Sequence, residues 1–570
     1  MSRRQRVLGA AAIYGVIALA AFPLIAAAQN TAMQTVGAVA IGGVDRLMED
    51  AEYVGKVAGN PQLGEMMKAM VAAQTGAADG IPGLDSKRPA GVLVQTDGMD
   101  FYVYGMLPVT KIDDLLGLLS RSGITAEKQG DVYAIQGPQQ TLFAVEKNGW
   151  VVLGMNKESL ASAPADPTVL QELAGSYDLA VKINLQSIPP MYRQLAVALI
   201  QQGMQQGMQP EPGQTPEEFE LQKRMATQSL AQVQDALNEI DTITVGMSLD
   251  ESASNLSLDL TVTVLPNTKA ARQIEANVNL TTALAGFAQT DGTFVLQATA
   301  KYTADQVQLM KEQLEDYKKL IAANLKKEGE LSAKERKLVM DIVTQVFSQL
   351  TTTMEKQGAD IAVSGSMTSI VGGIVLDDPA PFEAQVKQLF EDAKKQNAEL
   401  ADLVTLDAET YAGVRFHLLQ VPNAAIAEGS PEFARLLEGK DLQAVLGVGA
   451  EAIYFAVGSD AVSDLKAALD ASKERKPVSV SSRLHVALKP ILEFALAMSS
   501  EEAGDAERAQ IQEMLDVMSG DRDVVRAEGK LLPNGSHTRI EIGEDVLKVI
   551  GAAVQKSMAG AGAEFSPDGF

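Results

Sequence analysis

The sequence predicts an α+β protein of two related halves, each a mainly antiparallel sheet with amphipathic helices packed on one face, joined by long helices. Three observations carry this expectation. The first is strict alternation. Leu256, Leu258, Leu260, Val262 and Val264 fall on one side of a strand, and Ser257, Asp259, Thr261 and Thr263 on the other. Ile243, Val245, Met247 and Leu249 repeat the pattern against Thr242, Thr244, Gly246 and Ser248. Such alternation gives a sheet one apolar and one polar face, as in antiparallel sheets, and helices are expected to cover the apolar one. The second is composition. A chain of 570 residues that is 46% hydrophobic has material for a large core, and with no cysteine it must be held by that core rather than by disulfides. The third is that the element order of the first half recurs in the second.

The recurrence runs through the chain. TLFAVEKNGWVVLGMNKESL (141–160) and AVLGVGAEAIYFAVGSDAVSDL (444–465) each read as strand, tight turn, strand ending in glycine, and helix start. Trp150 aligns with Tyr454, Gly154 with Gly458 and Asn156 with Asp460. Upstream, DFYVYGMLPVTKIDDLLGLLSRSG parallels SIVGGIVLDDPAPFEAQVKQLFEDA as strand, Pro-bearing turn and helix. Downstream, YDLAVKINLQSIPPMYRQLAVALI parallels SSRLHVALKPILEFALAM as a strand leaving through proline into an apolar helix. NEIDTITVGMSLDESASNLSLDLTVTVLPNTKAARQI and SGDRDVVRAEGKLLPNGSHTRIEIGEDVLKVI both read as hairpin then helix, the second turning at Asn534-Gly535. Long helices are expected over 303–357, broken near Gly329 and opened by a capping box of Thr303 and Gln306. The expected organisation is 1–28 as signal peptide, 29–302 as first repeat, 303–358 as linking helices and 359–570 as second repeat.

The N-terminus explains the first of these segments. Arg3, Arg4 and Arg6 precede an uncharged apolar run from Val7 to Ile25, and Ala26-Ala27-Ala28 supplies a small-residue cleavage site. An uncleaved anchor is the alternative reading. No Cys follows the run, which excludes a lipoprotein, and no later apolar run is long enough to span a membrane. Cleavage removes three arginines and no acids, taking the formal charge from −25 to −28. That excess of acid argues against nucleic acid and against adhesion to anionic headgroups.

Signals for chemistry are few. The three histidines, His417, His485 and His537, all lie in expected strands or hairpins without metal-ligand spacing. The nucleophile elbow, the phosphate loop, the dinucleotide fingerprint and the EF-hand pattern are not present, so no catalytic residue, metal or cofactor is expected. Asp113-Asp114 and Asp377-Asp378 sit where helices begin and complement the helix dipole; Glu501-Glu502 is a third adjacent pair. Asp97-Gly98-Met99-Asp100 reads as a turn before a strand. Methionines collect on two helices, Met66, Met67 and Met70 on one and Met191, Met204 and Met208 on the other. Met66, Met70, Met191, Met204 and Met208 are candidate lining for an apolar ligand, against the alternative of ordinary core. Trp150 and Tyr454 are expected as packing anchors at equivalent places in the two repeats.

AGNPQLGEMMKAM, GLDSKRPAGVLVQTDG, EKNGWVVLG, YDLAVKINLQSIPPMYRQLAVALIQQGM and NEIDTITVGMSLD together resemble a group of large exported proteins with duplicated α+β domains, common in planctomycete-type bacteria. The resemblance covers most of 30–290 and thins out afterwards. It implies a Gram-negative-type envelope, hence periplasm or cell surface, and brings no catalytic residues. The functional expectation is an exported, non-enzymatic envelope protein acting as a binding or structural scaffold for another protein, a glycan or a surface layer. The alternative is a periplasmic carrier for an apolar ligand such as a lipid.

Overall fold

A computed structural model describes residues 33–563, apart from 76, 78–79, 122–123, 138–139, 166, 211–213, 290–291, 328–331, 357, 397–399 and 500–504. The segment expected as a signal peptide, the helix break expected near Gly329 and the Glu501-Glu502 pair lie outside the described residues.

The first ten strands are β1 (Gln34–Ile41), β2 (Ala90–Thr96), β3 (Phe101–Pro108), β4 (Thr125–Gln129), β5 (Val132–Gln136), β6 (Thr141–Lys147), β7 (Trp150–Gly154), β8 (Leu179–Asn184), β9 (Ile240–Asp250) and β10 (Asn255–Val264). A two-residue strand, β11 (Thr281–Thr282), follows and pairs with β19 (Lys476–Pro477). The remaining ten are β12 (Phe294–Ala300), β13 (Ala359–Gly365), β14 (Ile370–Val375), β15 (Val404–Tyr411), β16 (Val414–Val421), β17 (Leu442–Val448), β18 (Ala452–Gly458), β20 (Ser482–Ala487), β21 (Val524–Leu532) and β22 (Gly535–Gly543).

Apart from that small pair, the strands form one 20-stranded antiparallel sheet. From one edge the neighbours run β4-β5-β6-β7-β3-β2-β1-β8-β9-β10. From the other edge they run β15-β16-β17-β18-β14-β13-β12-β20-β21-β22. The two series have the same order, strand for strand. They meet where β10 pairs with β22, Asn255 opposite Gly543 and Thr263 opposite Gly535, with Asp259 opposite Arg539 in the middle. The registers do not set Trp150 and Tyr454 at equivalent places, as the sequence alignment expects. Trp150 is the first residue of β7 and faces Pro108, the last of β3. In the second series that place is held by Ala452, the first residue of β18, which faces Val375, the last of β14. Tyr454 stands two residues further along, between Gly373 and Gly447, because the hairpin turn fixes the register and not the aromatic residue.

The boundary between the series differs from the sequence expectation. β12 was expected within the first repeat, but it pairs with β13 and β20. The long helices Ala304–Lys327 and Ala333–Lys356 therefore do not link two bodies. They connect the neighbouring strands β12 and β13, just as helices Val44–Val57 and Leu63–Thr75 connect β1 and β2.

Local chemistry sets the turns and helix starts. Asn148 and Gly149 both take positive φ, 51° and 74°, as the two-residue turn between Lys147 and Trp150 requires. The β21–β22 hairpin turns on Pro533-Asn534 instead of Asn534-Gly535, because Leu532 pairs with Gly535. Gly535 serves a close approach: a Cβ there would lie 2.1 Å from the Val262 carbonyl oxygen of β10. The capping box expected at Thr303 is not made. The Thr303 amide donates to Gln273 Oε1, and Gln306 Oε1 is buried without a partner. A full box forms at Thr215 and Glu218, opening helix Pro216–Glu239.

Two apolar cores lie on one face of the outer strands. In the first series Trp150, Tyr104, Met106 and Leu93 pack beneath Leu160, Leu170 and Leu173. In the second, Phe416, Val445 and Ala456 pack with Phe287 beneath helix Ala461–Ala471. Helix Ile112–Arg121 covers the opposite face of β4–β7.

Candidate functional site

Across the central strands the predicted alternation is present, but burial runs opposite to expectation. The polar face closes on itself. Ser248 bonds Ser257 at 2.8 Å and Thr242 bonds Thr263 at 2.7 Å. Arg539 clasps Asp259 through two 2.8 Å bonds, and Arg483 Nε reaches Glu528 at 3.1 Å. Ser257, Asp259, Gln297, Thr299 and His485 are buried as a result.

The apolar face is the open one. Pairing aligns Ile41, Leu179, Met247, Leu258, Ile540, Ala527, Leu484, Leu296 and Val363 in a single row across nine neighbouring strands. Leu179, Val245, Leu260, Leu296, Leu484 and Ile540 remain 37–48% exposed. The helices that leave β8 and β20, Pro190–Gly207 and Leu488–Met498, contain no buried residue. The expectation that helices would cover the apolar face therefore holds for the outer strands and not for the centre. Contiguous exposed apolar surface of this kind marks interaction sites in proteins that otherwise bury their large side chains.

The methionines do not assemble into one site. The helix carrying Met66 and Met70 lies beyond the Ile41 end of β1, where Ile41 pairs with the first residue of β8. The helix carrying Met191 and Met204 follows the last residue of β8, and Met208 caps that helix. They thus leave the sheet at opposite ends. Met66, Met70 and Met191 are more than half exposed. Beside helix Pro190–Gly207 is a cavity of about 410 Å³, but other residues of the helix line it, among them Arg193, Gln194 and Gln201. Trp150 is fully buried with the Arg88 guanidinium 4.4 Å above its ring, and Tyr454 stacks on Phe287 at 5.2 Å. Both are packing anchors.

Two polar clusters contain the histidines. On the polar face a cavity of about 470 Å³ is lined by Arg483, His485, Arg526, Glu528, His537 and Arg539, among others. Its cations are largely occupied, since Asp259 takes both Arg539 and His537 Nε2, the latter at 2.9 Å. Burial and the neighbouring Arg526 push the His485 imidazole below its ordinary value, so it is neutral near pH 7.

The second cluster, Glu383, Asp407 and His417, brings its candidate ligand atoms within 4.8 Å of one another. Its bonding is that of an ion-pair network. Helix Ala380–Gln396 is capped by Asp378 Oδ1 and points Glu383 of its first turn at β16. Arg415 clasps Glu383 with two nitrogens, and Lys387 bridges Glu383 and Asp407 at 3.0 and 2.9 Å. The Asp407 amide donates to His417 Nδ1 at 3.0 Å, which leaves the proton on Nε2, 3.2 Å from Glu383 Oε1. Neither imidazole nitrogen then offers a lone pair, so the donor set does not fit a metal ion.

This network predicts a pH dependence. Hydrogen bonds from Arg415, opposed by burial and aided by Lys387, hold Glu383 down to about 2 from 4.5. A depressed carboxyl contributes stability that is complete above about pH 5 and lost as pH falls toward 2. The shift corresponds to at most about 3 kcal/mol, and half-exposed Arg415 reduces this to about 1–2 kcal/mol. Urea unfolding at pH 7 and pH 3 should show wild type losing a little over half of that, about 1 kcal/mol, more than Glu383→Gln. Equal losses in the two proteins would remove Glu383 from the account.

Asp97 is also fully used. Its carboxylate accepts from the Met99 and Asp100 amides and from the Tyr102 hydroxyl, at 2.9, 2.8 and 2.9 Å, so the loop is a closed turn. Among the described residues no helix is long and apolar enough to cross a membrane. Comparison with known proteins finds no matching family, no matching curated protein and no matching solved structure.

Proposed function

We propose that the chain is an exported, non-enzymatic binding protein of the cell envelope, built by duplication of one ten-stranded unit, that carries an apolar ligand such as a lipid on the open face of its central sheet. The observation that carries this reading is the apolar row, whose members Leu179, Leu296, Leu484 and Ile540 each stay more than a third exposed, while Ser257, Asp259, Gln297 and Thr299 of the polar face are buried. Fully burying a leucine or valine is worth about 1.5–3 kcal/mol, so even partial cover of six such side chains supplies useful affinity. Duplication is supported by the strand order that the two series share. Export is supported by the basic residues and apolar run of the first 28 positions. The openness of the row also suits a second reading, a scaffold that docks another envelope protein there.

Native mass spectrometry of the protein purified from its own envelope fraction, followed by lipid extraction, separates the two. A co-purifying lipid at near-stoichiometric amounts, lost in a Leu260→Asn/Leu484→Asn variant, is the expected result. A partner chain in its place, lost in the same variant, would establish the scaffold; retention of either ligand by the variant would move the site off this face.

A further inference from the structure

On the same face as the open row, four residues along β8 and β9 from Leu179 and Met247, stands a cation with no counter-ion among the described residues. Leu237 packs with Ile183 and Ile243 on the apolar face, next to exposed Val245 two residues along β9. Arg193 reaches this corner from helix Pro190–Gly207. Its Nη1 donates to the Leu237 carbonyl at 3.0 Å and to Gln186 Oε1 at 2.8 Å, while its Nε is buried without any partner. Both acceptors are uncharged, and Arg193 forms no ion pair with any described carboxylate. The Leu237 contact caps the end of helix Pro216–Glu239, a structural role that occupies one nitrogen of the three.

The cavity of about 410 Å³ beside it is lined by Arg193, Gln194, Gln201, Gln234, Leu237 and Asn238, among others, and contains no acid. A partly buried guanidinium that meets only carbonyls, in a chain of net charge −25, is an unusual arrangement. Uncompensated buried charge is costly, and guanidinium is the group best matched to a carboxylate.

We infer that the ligand is a carboxylate-headed amphiphile, a long-chain fatty acid, with its head in the cavity at Arg193 and its tail along the exposed apolar face. The amide side chains of Gln194, Gln201, Gln234 and Asn238 surround the head, and the tail follows Ile243, Val245, Leu260, Ile540, Leu484 and Leu296. From β9 to β12 are five inter-strand steps of about 4.8 Å, a strip of about 24 Å. The inference rests on the reading of the apolar face as the binding surface, and the experiment keeps the two apart.

Palmitate and hexadecan-1-ol are titrated calorimetrically into the purified, delipidated protein below their aggregation concentrations. Wild type is expected to bind palmitate at least tenfold more tightly than the alcohol. Arg193→Gln should reduce palmitate to the level of the alcohol and leave the alcohol unchanged. Gln201→Glu, which places a like charge in the cavity without touching Arg193, should weaken palmitate alone, and it decides the matter if Arg193→Gln does not fold. Equal binding of the two ligands by wild type, or full palmitate affinity in both variants, overturns the head site and leaves the apolar face standing. Binding of neither ligand overturns both.

Discussion

Replacing Asp259 by arginine is expected to cost about 3–5 kcal/mol of stability at pH 7. Asp259 is buried at the centre of the β10–β22 ladder, directly opposite Arg539, and accepts from Arg539 and His537. Burial acts to raise its carboxyl, but the hydrogen bonds and charge of Arg539, with those of His537, bring it below the ordinary range. The substitution sets two guanidinium groups against each other beside an imidazole, and removing one member of a buried pair costs this much in other proteins. The position has a further property. The two strand series meet antiparallel about this point, so Asp259 and Arg539 each stand fifth in their strand and directly face each other. Asp259→Arg/Arg539→Asp is therefore expected to recover at least half of the loss, measured by urea unfolding. Recovery of nothing would show that the surroundings of Asp259, and not the pair, set its cost.

Trp150→Ala is expected to cost about 3–5 kcal/mol, the usual penalty for emptying a large aromatic site in a core. Trp150 is enclosed by the first-series core, with Arg88 over its ring and donating to the Gly149 carbonyl at 3.1 Å. Tyr454→Ala should cost less, about 2–4 kcal/mol, because Tyr454 is only partly buried and leans on Phe287. Trp150 is the only tryptophan, so the comparison is made by far-ultraviolet circular dichroism. Its fluorescence reports unfolding of wild type and of Tyr454→Ala. A cost below about 1 kcal/mol for Trp150→Ala would mean that the anchor is not part of the cooperative core.

Much of the fold was legible in the chain because its signals are short-range. Period-two alternation in 240–264 depends on neighbours a few residues apart and gave the strands β9 and β10. Proline after β8 and the turn at Asn148-Gly149 marked element ends for equally local reasons. Where an outcome depended on competition between distant partners, the local reading failed. The Thr303–Gln306 box lost to Gln273, thirty residues upstream, and the Asn534-Gly535 turn moved because Gly535 was needed against β10.

The candidate site was the least legible part. Exposed leucines such as Leu296 and Leu484 have the same alternation as buried ones, and Arg193 reads as an ordinary polar residue on an amphipathic helix. By itself the sequence determined the α+β class, the strands, the recurrence of their order and the lack of any disulfide, since each follows from periodicity, turn chemistry or composition. Only the tertiary structure decided that one sheet joins all twenty strands of both series, that the helices after β8 and β20 leave the central apolar face open, and that Arg193 meets Leu237 without a carboxylate. Those are properties of helix direction and long-range pairing, and the free energy that selects them is spread over contacts between segments far apart in the chain.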